Sequence, residues 1–148
     1  MLIAALIVLT AVQTPAGDSV VYLVAPASRL EVMTGKSGLL GFAGHEHTIR
    51  ARAFSGRVVY RLESIAASRV EITILTGSLE VLTPPDTEEI RKVTESMRTE
   101  VLDVAQYPEI RLVSQRIEGT ARRITMTADL TIKGKTRAIP LTVDLDIG

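Results

Sequence analysis

The stretch Arg123-Ile-Thr-Met-Thr-Ala-Asp-Leu-Thr-Ile132-Lys-Gly-Lys-Thr136-Arg-Ala-Ile139-Pro-Leu-Thr-Val-Asp-Leu-Asp-Ile147 decides the fold. In its first half Ile124, Met126, Ala128, Leu130 and Ile132 alternate with Thr125, Thr127, Asp129 and Thr131. In its second half Ile139, Leu141, Val143, Leu145 and Ile147 alternate with Pro140, Thr142, Asp144 and Asp146. Successive side chains of a strand point to opposite faces, so each half has one dry wall and one wet wall. Lys133-Gly134-Lys135-Thr136 between them offers the glycine that a tight hairpin link needs. The stretch therefore predicts an antiparallel pair with a continuous aliphatic face.

Upstream, the same signals recur. Residues 18–25 read as a strand stopped by Pro26, and Arg29 to Met33 alternate briefly. Further extended segments run through Thr48 to Phe54, Arg57 to Leu62, and Val70, Ile72 and Ile74, with Ser55-Gly56 read as a break and Gly77 as a bulge or a sharp bend. Pro84-Pro85-Asp86 changes the element. Asp86 suits an N-cap with Glu89 three residues on, and Ile90, Val93, Met97 and Val101 fall at helical spacing. That predicts one amphipathic helix over roughly 87–102, with Met97 in the core. Tyr107-Pro108 restarts extended structure, and Ile110, Leu112 and Ser114 share a strand face. The expected fold is mainly β, an antiparallel sheet of about eight strands curled into a barrel, with one helix.

The N-terminus reads differently. Residues 1–12 form an uncharged apolar run, too short to span a bilayer as a helix, followed by Gln13-Thr-Pro-Ala16 with small residues where a signal peptidase reads. The expectation is a cleaved secretory signal over 1–16, one domain over 17–148, and a periplasmic or secreted protein that is not integral to the membrane after cleavage, with a retained N-terminal anchor as the main alternative. A buried first strand is disfavoured because the run does not alternate.

Composition narrows the function. Seventeen Lys and Arg balance seventeen Asp and Glu, which argues against a nucleic-acid partner and against strong attraction to anionic headgroups. The chain has no cysteine, so it has no disulfide, thiolate nucleophile or Cys-ligated metal. With three Tyr, two Phe and no Trp, flat platforms for sugars or bases are scarce. Its apolar content is aliphatic.

Two segments carry a resemblance. Leu102-Asp-Val-Ala-Gln-Tyr-Pro-Glu-Ile-Arg-Leu-Val-Ser114 and Ala128-Asp-Leu-Thr-Ile-Lys-Gly-Lys-Thr-Arg-Ala-Ile-Pro-Leu-Thr-Val143 resemble two ordered motifs of the YceI-like proteins, and Phe54-Ser-Gly56 and Ser78-Leu79 sit at fitting places. The resemblance implies a lipocalin-like elongated barrel with a helix against it. It also implies an exported protein holding a polyisoprenoid or similar long amphiphile. This chain is shorter than usual before Phe54 and poorer in aromatics.

Physical chemistry leads the same way. A barrel of about eight strands has an interior that side chains fill or that holds one small ligand. Aliphatic walls suit a hydrocarbon, each buried methylene contributing about 0.8 kcal/mol. The expected lining is Val70, Ile72, Ile74, Leu112, Ile124, Met126, Leu130, Ile132, Ile139, Leu141, Val143 and Leu145. The partner is then a long-chain lipid, with a homodimer possible and no dedicated cofactor. The rivals are a metal-dependent enzyme or metal-binding protein using His45 and His47, and a filled barrel acting as a structural or interaction module.

One constellation hints at chemistry. Gly44-His45-Glu46-His47 holds both histidines, and on a strand His45 and His47 share a face suited to a metal or a lipid headgroup. No carboxylate follows at 51–53, so a third ligand would have to come from Asp18, Glu31 or Glu63. A turn whose imidazoles simply hold the loop is the alternative. Ser55, Ser78 and Ser114 have no His and acid partners nearby in sequence, and no catalytic residue is expected.

Overall fold

The computed structural model describes residues 2–13, 19–34, 47–61, 63–82 and 87–146. Along the chain these form β1 (Leu2–Leu6), β2 (Leu9–Gln13), β3 (Ser19–Val24), β4 (Arg29–Thr34), β5 (His47–Ala51), β6 (Phe54–Arg61), β7 (Arg69–Leu75), β8 (Leu79–Val81), α1 (Thr87–Ser96), β9 (Glu109–Gly119), β10 (Arg123–Ile132) and β11 (Lys135–Asp144). The protein is mainly β with one α-helix among the described residues, as the alternation requires. The strands do not form a single ring of eight, however. They pair into a four-stranded sheet in the order β1-β4-β5-β8 and a seven-stranded sheet in the order β11-β10-β9-β7-β6-β3-β2. Two compact units, interleaved along the chain, correspond broadly to the two sheets.

In the first unit the chain changes sheet at two corners, Arg52-Ala53 between β5 and β6, and Thr76–Ser78 between β7 and β8. The corners are stitched together. Arg52 N–H donates to the Ser78 carbonyl at 3.1 Å, and Leu75 N–H donates to the Ala53 carbonyl at 3.0 Å. Ser78 Oγ accepts the Ala53 N–H at 3.0 Å and lies 2.7 Å from the Leu75 carbonyl it can donate to. Gly77 thus marks a sharp bend, where the sequence left a bulge equally open.

Helix α1 packs against β8, the outer strand of its sheet. An unpaired strand edge is a template for wrong pairing unless it is covered. Here Thr94 Oγ1 accepts the Val81 N–H at 3.2 Å, and Arg98 donates through Nε and Nη2 to the Leu79 carbonyl at 3.2 and 2.9 Å. Met97, at 0% exposure, anchors the same face, and a π turn over Met97–Val101 ends the helix. The predicted capping residue Asp86 lies outside the described residues.

In the second unit the closing hairpin has the register that alternation demands, with Ile124 opposite Val143, Met126 opposite Leu141 and Ala128 opposite Ile139. Its link turns at Lys133 (φ 49°) and Gly134 (φ 70°), the left-handed pair of a type I′ turn. Pro140 sits in the outer strand β11, where a missing N–H is tolerated. Gly56 corrects one expectation: it lies inside β6 and does not break it. An ideal Cβ there would stand 2.6 Å from Val24 Cγ2 and 3.1 Å from the Glu71 carbonyl oxygen, so the glycine lets neighbouring strands and side chains close over it.

The N-terminal apolar run, disfavoured above as a buried strand, pairs as β1 with β4 and as β2 with β3. Pairing along a free edge needs backbone groups and no alternation. The strand it forms is not buried, for Leu6 is 65% exposed.

Candidate functional site

The apolar wall of the seven-stranded sheet is built by three devices. The first is the hairpin register, which sets the even residues of β10 against the odd residues of β11. The second is a bulge between β9 and β10. Ala128 pairs with Ser114 and Thr127 with Arg116, leaving Gln115 as the extra residue. The bulge moves the inward phase of β9 from even to odd numbers, so that Leu112 and Ser114 are followed on the wall by Ile117. The third is Ser114 itself, buried on the wall, whose Oγ accepts the Val70 N–H at 2.9 Å and ties β9 to β7. Outside, Gln115 Nε2 donates to Asp129 Oδ2 at 2.6 Å and holds the bulge open to solvent.

Ile117, Ile124, Met126 and Ala128 form the buried centre of this wall. Ile65, Val70, Leu112, Leu141, Val143 and Leu145 pack around it, partly buried. Seven of the twelve residues expected to line an interior are therefore brought together: Val70, Leu112, Ile124, Met126, Leu141, Val143 and Leu145. Leu130 continues the wall opposite Leu112, and Ile139 opposite Ala128. Ile132 lies at the turn, half-buried, facing Lys135. Ile72 reaches over Gly56, and Ile74, also half-buried, falls in the other unit. Ile65 and Ile117 were not anticipated, while Ala128, on the dry face by its alternation, joins the buried centre. Strict alternation from Ile110 points to Arg116, and only the bulge selects Ile117.

The wall is chemically plain. No Asp, Glu, Lys or Arg is buried among the described residues, and the buried polar side chains are His47, Thr76, Thr94 and Ser114. Such a surface can exclude water from a hydrocarbon but cannot orient a charged substrate.

The histidine pair is only partly in view. His47 opens β5 on its buried side, in line with Ile49 and Ala51, opposite Thr34. Thr34 Oγ1 accepts the His47 N–H at 3.3 Å, so this residue belongs to a strand and not to a loose turn. His45 and Asp18 lie outside the described residues. Glu31, a candidate third ligand, is engaged by Arg50 at 2.6 and 2.8 Å, and Glu63 is exposed. Among the described residues no group of three or more His, Asp or Glu is placed to hold a metal ion.

An open cleft of about 380 Å³ lies between β8 and α1. Val81, Leu82, Ile90 and Thr94 form its floor, with Glu80, Arg91, Glu95 and Arg98 around it. Glu80 is paired with Arg52 at 2.6 Å and Arg98 with the Leu79 carbonyl, so two of its four charges already serve the fold.

Antiparallel sheets with one helix against an outer strand and an aliphatic wall define the class: a lipocalin-like fold. Within that class the chain belongs to the YceI-like family, whose domain model matches residues 24–148. Its fold is similar to that in the crystal structure of Burkholderia cenocepacia BcnA, with a TM-score of 0.63 and 19% identity over 81% of this chain and 69% of that one. No curated protein sequence matches the chain.

Proposed function

We propose that this protein is an exported lipid-binding protein. It holds one isoprenoid-like or other long-chain amphiphile against the aliphatic wall of the seven-stranded sheet, for transport, storage or sequestration. Membership of a family of binding proteins supports this reading. The observation that carries it is the convergence of seven anticipated aliphatic residues on one wall without a buried charge. Such a wall gains about 0.8 kcal/mol for each methylene it removes from water. The protein is then a binder with no catalytic residue. The test is mass spectrometry of an organic extract of the protein purified without detergent. A stoichiometric long-chain lipid is expected. A lipid-free extract from several preparations, with no uptake of added polyprenol, would contradict the proposal.

Export belongs to the same proposal, with cleavage after Ala16 and a periplasmic or extracellular destination. Both strands that cleavage removes, β1 and β2, are outer strands of their sheets, so every other strand pairing survives their loss. The intact mass of protein recovered from outside the cytoplasm should begin at Gly17. A full-length mass in that fraction would overturn the cleavage.

A further inference from the structure

The balanced charge of the whole chain conceals a local imbalance. From Leu130 to Val143 the hairpin carries Lys133, Lys135 and Arg137 and no acidic residue. Register fixes where these cations stand. Arg137 is opposite Leu130 and Lys135 is opposite Ile132, and residues directly opposite share a face of the sheet. Both cations therefore rise from the face that also carries Leu130, Ile132 and Ile139. They are exposed, whereas those three aliphatics are only half-buried. On the other face Arg111 stands opposite Thr131 and adds a further exposed cation at the same end. The turn end of β10–β11 is thus an aliphatic face edged by cations.

We propose that this hairpin end docks on the surface of an anionic membrane, its cations among the headgroups and Leu130, Ile132 and Ile139 toward the acyl boundary. Charge and apolar surface side by side are what an anionic interface rewards. Aliphatic neighbours without an aromatic platform disfavour a nucleic acid. The proposal shares Leu130 and Ile139 with the edge of the wall but needs no bound lipid, since its cations stand at the rim of the sheet and not at its buried centre.

The test is co-sedimentation with vesicles of phosphatidylcholine and phosphatidylglycerol, and with vesicles of phosphatidylcholine alone. Binding to the anionic vesicles is expected, weakening as salt screens the cations. Each cation near the surface is worth about fivefold in partitioning, so the Lys135→Gln/Arg137→Gln variant should bind roughly 25-fold more weakly. Arg91→Gln/Lys92→Gln on α1, the same loss of charge elsewhere, should bind as the parent does. Equal binding to neutral vesicles, or an unchanged partition for the hairpin variant, would overturn the proposal. The organic extract of the hairpin variant separates the two ideas: lipid content equal to the parent's is expected even where vesicle binding is lost.

Discussion

At the scale of the residue, two positions carry the most testable claims. Thr76 is 1% exposed, and its Oγ1 has no hydrogen-bond partner among the described residues. A buried hydroxyl without a partner opposes folding, so Thr76→Val should raise stability by about 1 kcal/mol in urea denaturation. A loss instead would mean that the hydroxyl is satisfied. Gly56 makes the opposite prediction. Because its missing Cβ leaves room for Val24 and the Glu71 carbonyl, Gly56→Ala should cost about 1–3 kcal/mol, read in the same assay. Ser114 joins β7 to β9 through the Val70 N–H, and Ser78 clamps the two corners where the chain changes sheet. Two of the three serines that sequence showed without catalytic partners, Ser78 and Ser114, are thus used as hydrogen-bonding joints. Nothing in their local context announces this, because each joint spans 25 to 44 residues.

At the scale of the element, what sequence disclosed follows from periodicity. The hairpin, its turn and α1 were legible because alternation and helical spacing are local signals. The inward turn of Ile117 was not, because the bulge at Gln115 is specified by pairing with β10 and not by any residue type. The N-terminal run was illegible as strand for a related reason: an edge partner takes any extended segment. Lys133 pays the steric cost of a left-handed residue with a side chain, so Lys133→Asn should stabilise the hairpin by about 1 kcal/mol. Thermal denaturation checks it, and an unchanged or lower midpoint would count against the turn assignment. On α1, Met97→Ala should cost about 2–5 kcal/mol, as expected for emptying a fully buried site. A cost below 1 kcal/mol in the same experiment would mean that the helix is not anchored there.

At the scale of the molecule, three features belong together: an aliphatic wall, two outer strands whose removal leaves the remaining ladders paired, and a cationic rim. Each was only partly open to sequence. Family motifs pointed to the wall, composition concealed the rim behind a neutral total, and His45 stays outside what the structure describes. The central claim is that the wall holds a hydrocarbon and is not merely packed. Its most direct measurement is the intact mass of the native protein, sprayed gently enough to keep non-covalent ligands. A species heavier than the chain by the mass of one long-chain lipid is expected, reverting to the bare chain on organic denaturation. A single native species at the bare-chain mass, unchanged after incubation with polyprenol or long-chain fatty acid, would contradict it.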